Sequence, residues 1–358
     1  MRKVYFIRHG DVETPGGESF CLGTADFPLS AAGRARSVLL APGFESWGVS
    51  EVFSSPLSRA LETAALMGAQ PIALPGLAEA GQGDWDGLPF SEIRERWPEL
   101  YAARGRDRAL LPPGAEEPDA VLGRFNRAVG EALECTRGDI ALVTHRSALR
   151  LFLGSALGLT ADAAARLELH CGSVTRLEWS GGRWELCGRA GQRPHPELLP
   201  PLCLRLLEAD APDRVAAHCR AVEREALRLV CALAAAGVYP DEFAVSAGAL
   251  LHDIARTEPE HAARGAELLE AIGYPRIASI VRQHHGLDEP EHLDEAAVVF
   301  LADKLVLGAK YVGLESRFAE SEARCSTPEA RATHERQLEQ ARALRRRINS
   351  LCGKTVVA

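Results

Sequence analysis

Apolar and polar residues alternate along the first half of the chain with two different periods. Short runs of β-branched and aromatic residues are separated by amphipathic stretches that have the spacing of α-helices. The predicted strands are 4–7, 51–53 and 140–143, and the predicted helices are 31–40, 55–67 and 118–135. Because strands that alternate with helices pair in parallel, we expect an α/β domain built on a mainly parallel sheet with helices on both faces.

A hairpin and a polar segment mark the end of this region. Two further predicted strands, 174–179 and 183–187, flank the turn sequence Ser180-Gly181-Gly182. The following residues 188–196 are rich in glycine and proline and have no periodicity, which is typical of a linker. We therefore predict a first domain over 1–190, a linker over 191–201 and a second domain over 202–358.

The second half of the chain is dominated by helical spacing of Ala, Leu, Glu and Arg. Its predicted helices are 212–236, 241–251, 260–272, 275–283, 294–307 and 328–351. No strand pattern stands out, so we expect this domain to be all α-helical. A length of 358 residues agrees with two domains, because a single hydrophobic core rarely grows that large.

Composition and charge exclude several classes of protein. The chain is 46% hydrophobic and 25% charged, as in soluble globular proteins, and its net charge of -8 offers no basic field for nucleic acid or membranes. An anionic substrate would therefore require a local basic pocket. Nine cysteines without a Cys-x-x-Cys pair, and the absence of a signal sequence, lead us to expect a reducing cytoplasm. A homo-oligomer is left open.

Basic side chains follow three of the predicted strands. Arg8 and His9 come after the first strand, Arg59 comes shortly after the second, and His145 comes after the third. In an open α/β sheet, ligands bind at the carboxyl ends of parallel strands, so we expect these groups to surround one anion. The sequence therefore predicts a phosphate site.

The residue types at this site are suited to phosphoryl transfer. A neutral His9 imidazole can attack phosphorus, while Arg8, Arg59 and His145 can donate hydrogen bonds to the phosphate oxygens. A proton donor for the leaving group is expected in the glycine-rich loop 77–87, where Glu79 is the preferred candidate and Asp84 the alternative.

The ordered motifs of the first half resemble the histidine phosphatase superfamily, the phosphoglycerate-mutase-like group. The motifs are Arg8-His9-Gly10, the segments 26–33, 54–63 and 79–87, and Val143-Thr144-His145. The resemblance implies that His9 becomes phosphohistidine, that Arg8, Arg59 and His145 form the phosphate pocket, and that Glu79 donates the proton without any metal. The glycine-rich loop 77–87 and the compact length of this half are more similar to the small-molecule phosphatases, including phosphatases of the α-ribazole phosphate type, than to the mutases.

Two departures from that family pattern concern the phosphate pocket. Family members often have Glu-Thr and a nearby Asn after the first motif, whereas residues 11–15 here read Asp-Val-Glu-Thr-Pro and contain no Asn. The usual small pair after the second histidine is replaced by Arg146-Ser147. Arg146 could contact a second anionic group of the substrate or simply face solvent, as most arginines do.

Metal-binding residue types recur in the second half. His252-Asp253 follows an apolar run, and Asp303 lies inside another, where an uncompensated carboxylate is costly unless it is paired or metal-bound. The other candidates are His218, His261, His284 and His285. His195, His292 and His334 are left out, because a single histidine on a helix is usually not a ligand.

This order of residues resembles the HD-domain phosphohydrolases, including the two-metal subgroup with the helical diadenosine tetraphosphatases and cyclic-dinucleotide phosphodiesterases. The resemblance implies that Asp253 bridges two ions. It implies one site of His218, His252 and Asp303 and a second of His261, His284 and His285. This ligation suits divalent Fe, Mn, Zn or similar ions without choosing among them. Arg256 stands where relatives commonly have a lysine and could hold substrate phosphate or lie at the surface.

Together these patterns predict a bifunctional phosphohydrolase. The first domain would act on a small phosphomonoester, and the second on a nucleotide-like phosphoester or phosphoanhydride. Two alternatives stay open: the first domain is a phosphomutase, or the helical domain is a ligand-sensing module without turnover.

Overall fold

The computed structural model describes residues 1–107, 110–190, 198–323 and 325–357. The chain divides into two compact units, which separate within the segment 191–197 and are described one at a time. Most of the predicted linker 191–201 lies in that segment, outside the described residues. Pro200 and Pro201 already belong to a helix.

The first unit contains a six-stranded sheet in which four strands are parallel. The spatial order is β4-β3-β6-β1-β7-β8, and the last two strands run antiparallel as the predicted hairpin. The strands are β1 (Arg2–Arg8), β3 (Glu51–Ser54), β4 (Ile72–Ala73), β6 (Ile140–Thr144), β7 (Val174–Ser180) and β8 (Arg183–Ala190). A separate pair consists of β2 (Phe20–Cys21) and β5 (Leu88–Pro89). The predicted mainly parallel α/β class is confirmed.

Helices cover both faces of this sheet. The helices of this unit are α1 (Ala31–Leu39), α2 (Ala41–Trp47), α3 (Ser58–Leu66), α4 (Phe90–Arg96), α5 (Pro98–Arg106), α6 (Pro118–Cys135), α7 (Arg146–Ala156) and α8 (Ala161–Ala165). Of these, α4 and α5 pack with the β2–β5 pair instead of the sheet. Val4 and Phe6 of β1 pack in one core with residues of α6 and α7, whereas Tyr5 and Ile7 pack in another with residues of α3. This alternation follows from the two-residue period of a strand.

One predicted helix of the first unit begins later than expected. The prediction placed its start at residue 55, but α3 begins at Ser58. Leu57 keeps an extended backbone, so Ser55 and Pro56 form the loop after β3. This loop brings Ser55 to the carboxyl edge of the sheet.

The second unit is nearly all helical. Its helices are α9 (Pro200–Asp210), α10 (Asp213–Ala235), α11 (Glu242–Leu251), α12 (His261–Ala271), α13 (Pro275–Arg282), α14 (Glu295–Leu305), α15 (Leu314–Glu322) and α16 (Pro328–Cys352). The central α14 is buried from Ala296 to Leu305. Helices α9 and α15 had no counterpart in the prediction.

A two-stranded ladder is the exception to the helical class. The helix predicted over 294–307 ends at Leu305, and its last two residues form β9 (Val306–Leu307), which pairs with β10 (Lys310–Tyr311). Gly308 has φ +55 in the turn between them, a conformation that favours glycine. Within the described ranges, the helices are either too short or too polar to cross a bilayer.

Candidate active sites

The first candidate site lies where β1, β3 and β6 end. The parallel register pairs Arg8 with Thr144, so the two residues that follow, His9 and His145, lie at the same edge of the sheet. Their ring centroids are 5.0 Å apart. Ser55 follows β3 at the equivalent position, and its backbone N–H donates to the Val143 carbonyl at 2.9 Å.

His9 is buried with one ring nitrogen committed to the backbone. Its Nδ1 lies 2.7 Å from the Gly10 carbonyl oxygen, which can only accept a hydrogen bond, so Nδ1 carries the proton and Nε2 keeps its lone pair. A Cβ atom at Gly10 would lie 2.7 Å from the Gly33 carbonyl oxygen, so this close turn requires glycine. Burial and the charges of Arg8 and Arg59 lower the pKa of His9 to about 3. The imidazole is therefore neutral at physiological pH.

Two arginines make the surroundings of His9 strongly positive. Arg59 is fully buried, and its two terminal nitrogens donate to the carbonyls of Ala25 and Gly23 at 2.7 and 2.9 Å. Arg8 donates from Nη1 to the Leu169 carbonyl at 2.6 Å. Among the described residues, the buried Nε atoms of both arginines have no hydrogen-bond partner. Both guanidinium groups are thus held rigidly and retain donor capacity for an anion.

His145 and Ser55 form a pair that the sequence motif only partly predicted. His145 Nε2 lies 2.7 Å from Ser55 Oγ. Burial, followed by the neighbouring His9 and Arg59, holds the pKa of His145 well below its ordinary value. Ser55 was not among the predicted site residues, although its place directly after β3 matches the places of His9 and His145.

The Glu79 carboxylate is held at the N-terminus of α7. It accepts hydrogen bonds from the backbone N–H groups of Ala80 at 2.8 Å, Ser147 at 3.0 Å and Ala148 at 2.9 Å. Arg124 fixes the loop by donating to the carbonyls of residues 76, 78 and 79. Arg124 is a positioning residue that the prediction missed.

A cavity of about 460 Å³ joins four of the predicted groups, while the buried His145 lies behind His9 and does not line it. Arg8, His9, Arg59 and Glu79 line it, whereas the alternative proton donor Asp84 is exposed outside it. The rest of the wall consists mainly of Phe20, Trp85, Phe90, Tyr101, Arg104, Arg146 and Arg150. Arg146 is therefore both exposed and at the cavity. The arrangement can hold an anion next to a neutral nucleophile.

The second candidate site gathers side chains from five places in the helical unit. His218 lies on α10, His252 and Asp253 follow α11, His261 begins α12, His284 and His285 follow α13, and Asp303 lies on α14. All seven predicted metal ligands belong to this cluster.

The first predicted ligand group is compact. His218, His252 and Asp303 each offer a ligand atom, and these atoms lie within 4.8 Å of one another. His218 Nε2 is 3.1 Å and His252 Nε2 is 3.7 Å from Asp303 Oδ1.

The second predicted group, His261, His284 and His285, meets the same distance limit. Asp253 lies between the two groups: its Oδ2 is 3.7 Å from His252 Nε2, and its Oδ1 is 3.2 Å from His261 Nε2 and 3.6 Å from His284 Nε2. This position is the one that a bridging carboxylate requires.

Hydrogen bonding in the cluster fits metal ligation. In His218, His252 and His284, Nδ1 lies 2.7–2.8 Å from a backbone carbonyl, so Nε2 is the nitrogen left for a metal. His252 Nε2, Asp253 Oδ1 and His284 Nε2 are buried without a hydrogen-bond partner in the part of the chain that is described. Such buried polar atoms are costly unless they bind an ion. The chemistry of the donor set therefore fits a divalent transition metal.

Electrostatics keeps both carboxylates ionised. Burial alone would raise the pKa of Asp253, but the neighbouring His261 and His284, followed by the charges of His252 and Arg256, outweigh it and hold the pKa well below its ordinary range. Burial would also raise the pKa of Asp303. The charge of Lys304, whose Nζ is 2.7 Å from Asp303 Oδ2, outweighs burial, and the pKa of Asp303 is lowered. Lys304 was not predicted, because a lysine in sequence normally indicates a solvated surface.

Arg256 is the remaining predicted residue of this site. Its Nη1 donates to His261 Nε2 at 2.8 Å and lies 3.6 Å from Asp253 Oδ1. Arg256 and Lys304 both line the cavity of about 120 Å³ that adjoins the cluster. Of the histidines left out, His292 pairs with Glu289 at the surface, His334 lines this cavity, and His195 lies outside the described residues.

Family comparisons agree with both halves of this geometry. The model of the histidine phosphatase superfamily (branch 1) matches residues 4–189, and the HD domain model matches residues 215–307. The chain belongs to the histidine phosphatase superfamily (branch 1) and also carries an HD domain. Both predicted resemblances are confirmed.

Individual relatives each match about half of the chain. The bifunctional protein Rv2228c of Mycobacterium tuberculosis (strain H37Rv) is 31% identical over 185 residues, which are 49% of this chain and 50% of the relative. The probable phosphoglycerate mutase GpmB of Yersinia enterocolitica is 29% identical over 211 residues, 55% of this chain and 96% of that protein. A structure of mycobacterial glucosyl-3-phosphoglycerate phosphatase Rv2419c is 26% identical, covers 52% of this chain and 96% of that chain, and has a TM-score of 0.46. The chain spans about half the length of the first of these relatives.

Proposed function

We propose that this chain is a bifunctional phosphohydrolase with two chemically different active sites. The first removes phosphate from a small phosphomonoester through a phosphohistidine on His9. The second hydrolyses a nucleotide-like phosphoester or phosphoanhydride at a two-metal centre. The observation that carries the first assignment is the cavity that brings His9, Arg8, Arg59 and Glu79 together, with His9 Nε2 available as a nucleophile.

In the first site, catalysis begins when His9 Nε2 attacks the phosphorus of the substrate. A P–N bond forms as the P–O bond to the leaving group breaks, and Glu79 donates a proton to the departing oxygen. Water then attacks phosphohistidine, Glu79 takes up a proton from it, and inorganic phosphate leaves with His9 restored. Arg8, Arg59 and His145 stabilise the charge on the phosphoryl oxygens in both steps.

In the second site, the chain supplies two ligand groups and the carboxylate between them. One ion would be held by His218, His252 and Asp303, and the other would be held by His261, His284 and His285. Asp253 would contact both ions. Two bound ions would activate a water and stabilise the attacking and leaving oxygens. Lys304 holds Asp303 Oδ2 and leaves Oδ1 to face His218.

Chelation and substitution together test the two assignments. Hydrolysis of a generic aryl phosphate by the full chain should survive EDTA and should fall at least about a thousandfold in His9→Ala, because the nucleophile is lost. His170→Ala, which changes an exposed histidine of the same unit, should leave the rate unchanged. Aryl phosphatase activity that persists in His9→Ala under EDTA would refute the phosphohistidine mechanism.

Elemental analysis of the same proteins tests the second site. The wild type should contain a divalent transition metal that is lost in Asp253→Ala and retained in Asp288→Ala, an exposed aspartate of the same unit. A wild type that is metal-free and shows no metal-stimulated hydrolysis would favour the ligand-sensing role.

A phosphomutase is the second candidate for the first domain, because one relative carries the name of a probable phosphoglycerate mutase. The same assay with labelled substrate decides between the two. Label in inorganic phosphate supports hydrolysis, and label in an isomer of the substrate supports the mutase.

A further inference from the structure

Two helices beyond the HD-matched residues close one side of the metal-ligand cluster. The family match ends at residue 307, whereas α15 begins at Leu314 and α16 ends at Cys352. From these helices, Arg317, Phe318, Ser321, His334 and Gln337 line the cavity that contains Asp253 and Asp303. This wall is thus a feature of the chain outside the part that defines the family.

The same wall also borders a second cavity. An outer groove of about 450 Å³ is lined by Arg317, Ser321, His334 and Gln337 together with Cys325, Glu329, Ala330 and Thr333. Because four residues line both spaces, the inner cavity and the outer groove adjoin along this wall. A ligand that reached the cluster could therefore extend into the groove.

Contacts hold the side chains of the wall in place. Arg317 Nε donates to the Val306 carbonyl at 3.1 Å. His334 Nε2 lies 2.8 Å from Ser321 Oγ, and its ring packs against Phe318 with centroids 5.0 Å apart. Gln337 Nε2 donates to the backbone carbonyl of His285 at 2.6 Å, which ties α16 directly to a predicted metal ligand. Side chains fixed in this way lose little conformational entropy when they bind a ligand.

The charge of the inner cavity favours an anion once the carboxylates are neutralised. Arg256, Lys304 and Arg317 all line it, against the two carboxylates of Asp253 and Asp303. Divalent ions at the cluster would more than balance these carboxylates, and the three cations would then face an anionic ligand. The outer groove is different, since Glu329 and Thr333 offer hydrogen-bond acceptors and a hydroxyl.

We propose that Arg317 binds the phosphate of the substrate at the metal centre, and that the organic part of the substrate lies in the outer groove. The chemistry of the groove suits a moiety with hydroxyl or amino groups, such as a nucleoside. This inference rests on the proposed function of the second domain. In this proposal Arg317 is a substrate-binding residue, not a metal ligand.

Calorimetry with inorganic phosphate tests the role of Arg317. The titrations use the metal-loaded full chain in an Arg59→Met background, so that the phosphate site of the first domain does not contribute. Arg317→Met should weaken phosphate binding at least about tenfold, as expected for the loss of a charge-assisted hydrogen bond. Arg317→Lys should weaken it less, because the charge remains. Arg342→Met, which removes an arginine of α16 that pairs with Glu315, should have no effect.

The metal content of each variant separates failure of the inference from failure of the proposed function. A wild type without bound metal would refute the two-metal function itself. Metal-loaded Arg317→Met that binds phosphate as tightly as the wild type would refute the role of Arg317 alone. Loss of metal in both Arg317→Met and Arg317→Lys would also overturn it, because Arg317 would then support the metal site and not the substrate.

A non-hydrolysable ligand tests the outer groove. The phosphonate analogue of adenosine 5′-monophosphate should bind more tightly than methylphosphonate to the metal-loaded chain in the same Arg59→Met background. Ala330→Phe should abolish this difference by filling the groove, while phosphate affinity stays unchanged. Ala343→Phe, on an exposed part of α16, is the matched control. Equal affinities of the two phosphonates for the wild type, or an unchanged preference in Ala330→Phe, would rule out a substrate in this groove.

Discussion

The two candidate sites use histidine in the same orientation but in opposite electrostatic surroundings. His9 in the first site and His218, His252 and His284 in the second all direct Nδ1 to a backbone carbonyl at 2.7–2.8 Å. The hydrogen bond fixes the tautomer in each case, so that Nε2 has the lone pair. Local backbone geometry is therefore shared by the two sites.

The sign of the neighbouring charges distinguishes them. His9 faces Arg8 and Arg59, whereas His252 lies 3.7 Å from the carboxylates of both Asp253 and Asp303. A lone pair among cations can serve as a nucleophile towards a bound anion. It is poorly placed to bind a metal ion, because the arginines would repel a second cation. A lone pair among carboxylates is a metal ligand. The comparison teaches that the partners of an imidazole, more than its orientation, decide which chemistry it performs.

Removal of the positive charge near His9 should have the largest effect, because the comparison attributes the chemistry of His9 to its cationic neighbours. In Arg59→Met, EDTA-resistant kcat/KM for an aryl phosphate should fall by about 10²- to 10³-fold, because a buried donor to the phosphoryl oxygens is lost. Steady-state kinetics of the full chain measures the effect. Arg59→Lys should retain part of the rate, since it keeps the charge but not the planar pair of donors.

The metal content of the second site should not change in either variant. As a control, Arg127→Met replaces an exposed arginine of α6 and should leave the rate at the wild-type value. A rate in Arg59→Met within a few-fold of the wild type would show that cations near His9 are not needed. The first site would then lose its electrostatic explanation.

Substitution of the proposed proton donor, Glu79, should have the next largest effect on the rate. Glu79→Gln should lower kcat about 10²-fold on alkyl phosphates, whose leaving oxygen needs a proton, and much less on an aryl phosphate with an acidic leaving group. Asp84→Asn, the exposed alternative, should affect neither substrate class. Kinetics on both substrate classes distinguishes protonation from structural damage, because damage from the altered contacts with Ser147 and Ala148 would slow both equally. The opposite result, with Asp84→Asn selective for alkyl phosphates, would transfer the role to Asp84.

The structure brings predicted site residues together where each one follows a strand or helix end. His9 and His145 follow buried apolar runs directly, so their convergence follows from the rule that parallel strands end at one edge. His252 and Asp253 similarly follow α11. In such places a local pattern already determines which side of the fold the side chain reaches.

Prediction failed for residues whose role depends on packing between distant helices. Arg124 on α6, Lys304 on α14 and Arg317 on α15 are single cations in helical patterns, where the ordinary expectation is a solvated surface. Only the tertiary structure shows that Lys304 is buried against Asp303 and that Arg317 lines the cavity of the metal ligands. Helix α15 itself was not predicted, so the cavity wall that it forms with α16 could not be predicted either.

The smallest expected effect is a pH dependence of stability that comes from His9. Burial and the charges of Arg8 and Arg59 lower the pKa of His9 to about 3, whereas the Asp303 carboxylate, 3.1 Å from His218 Nε2, outweighs burial and raises the pKa of His218. Between pH 6.5 and 3 the unfolded chain protonates the His9 imidazole and the folded chain does not, so this histidine makes the folded state less stable as the pH falls.

Urea unfolding followed by tryptophan fluorescence measures this contribution in the intact chain, because all five tryptophans lie in the first unit. From pH 7 to pH 5, His9 should reduce the free energy of unfolding by about 2 kcal/mol, an amount that His9→Asn should remove. His170→Asn, at the surface, should keep the wild-type slope. If His9→Asn also keeps that slope, His9 is not held neutral by its surroundings. The contrast between a cation-lined and a carboxylate-lined imidazole would then have to rest on the second site alone.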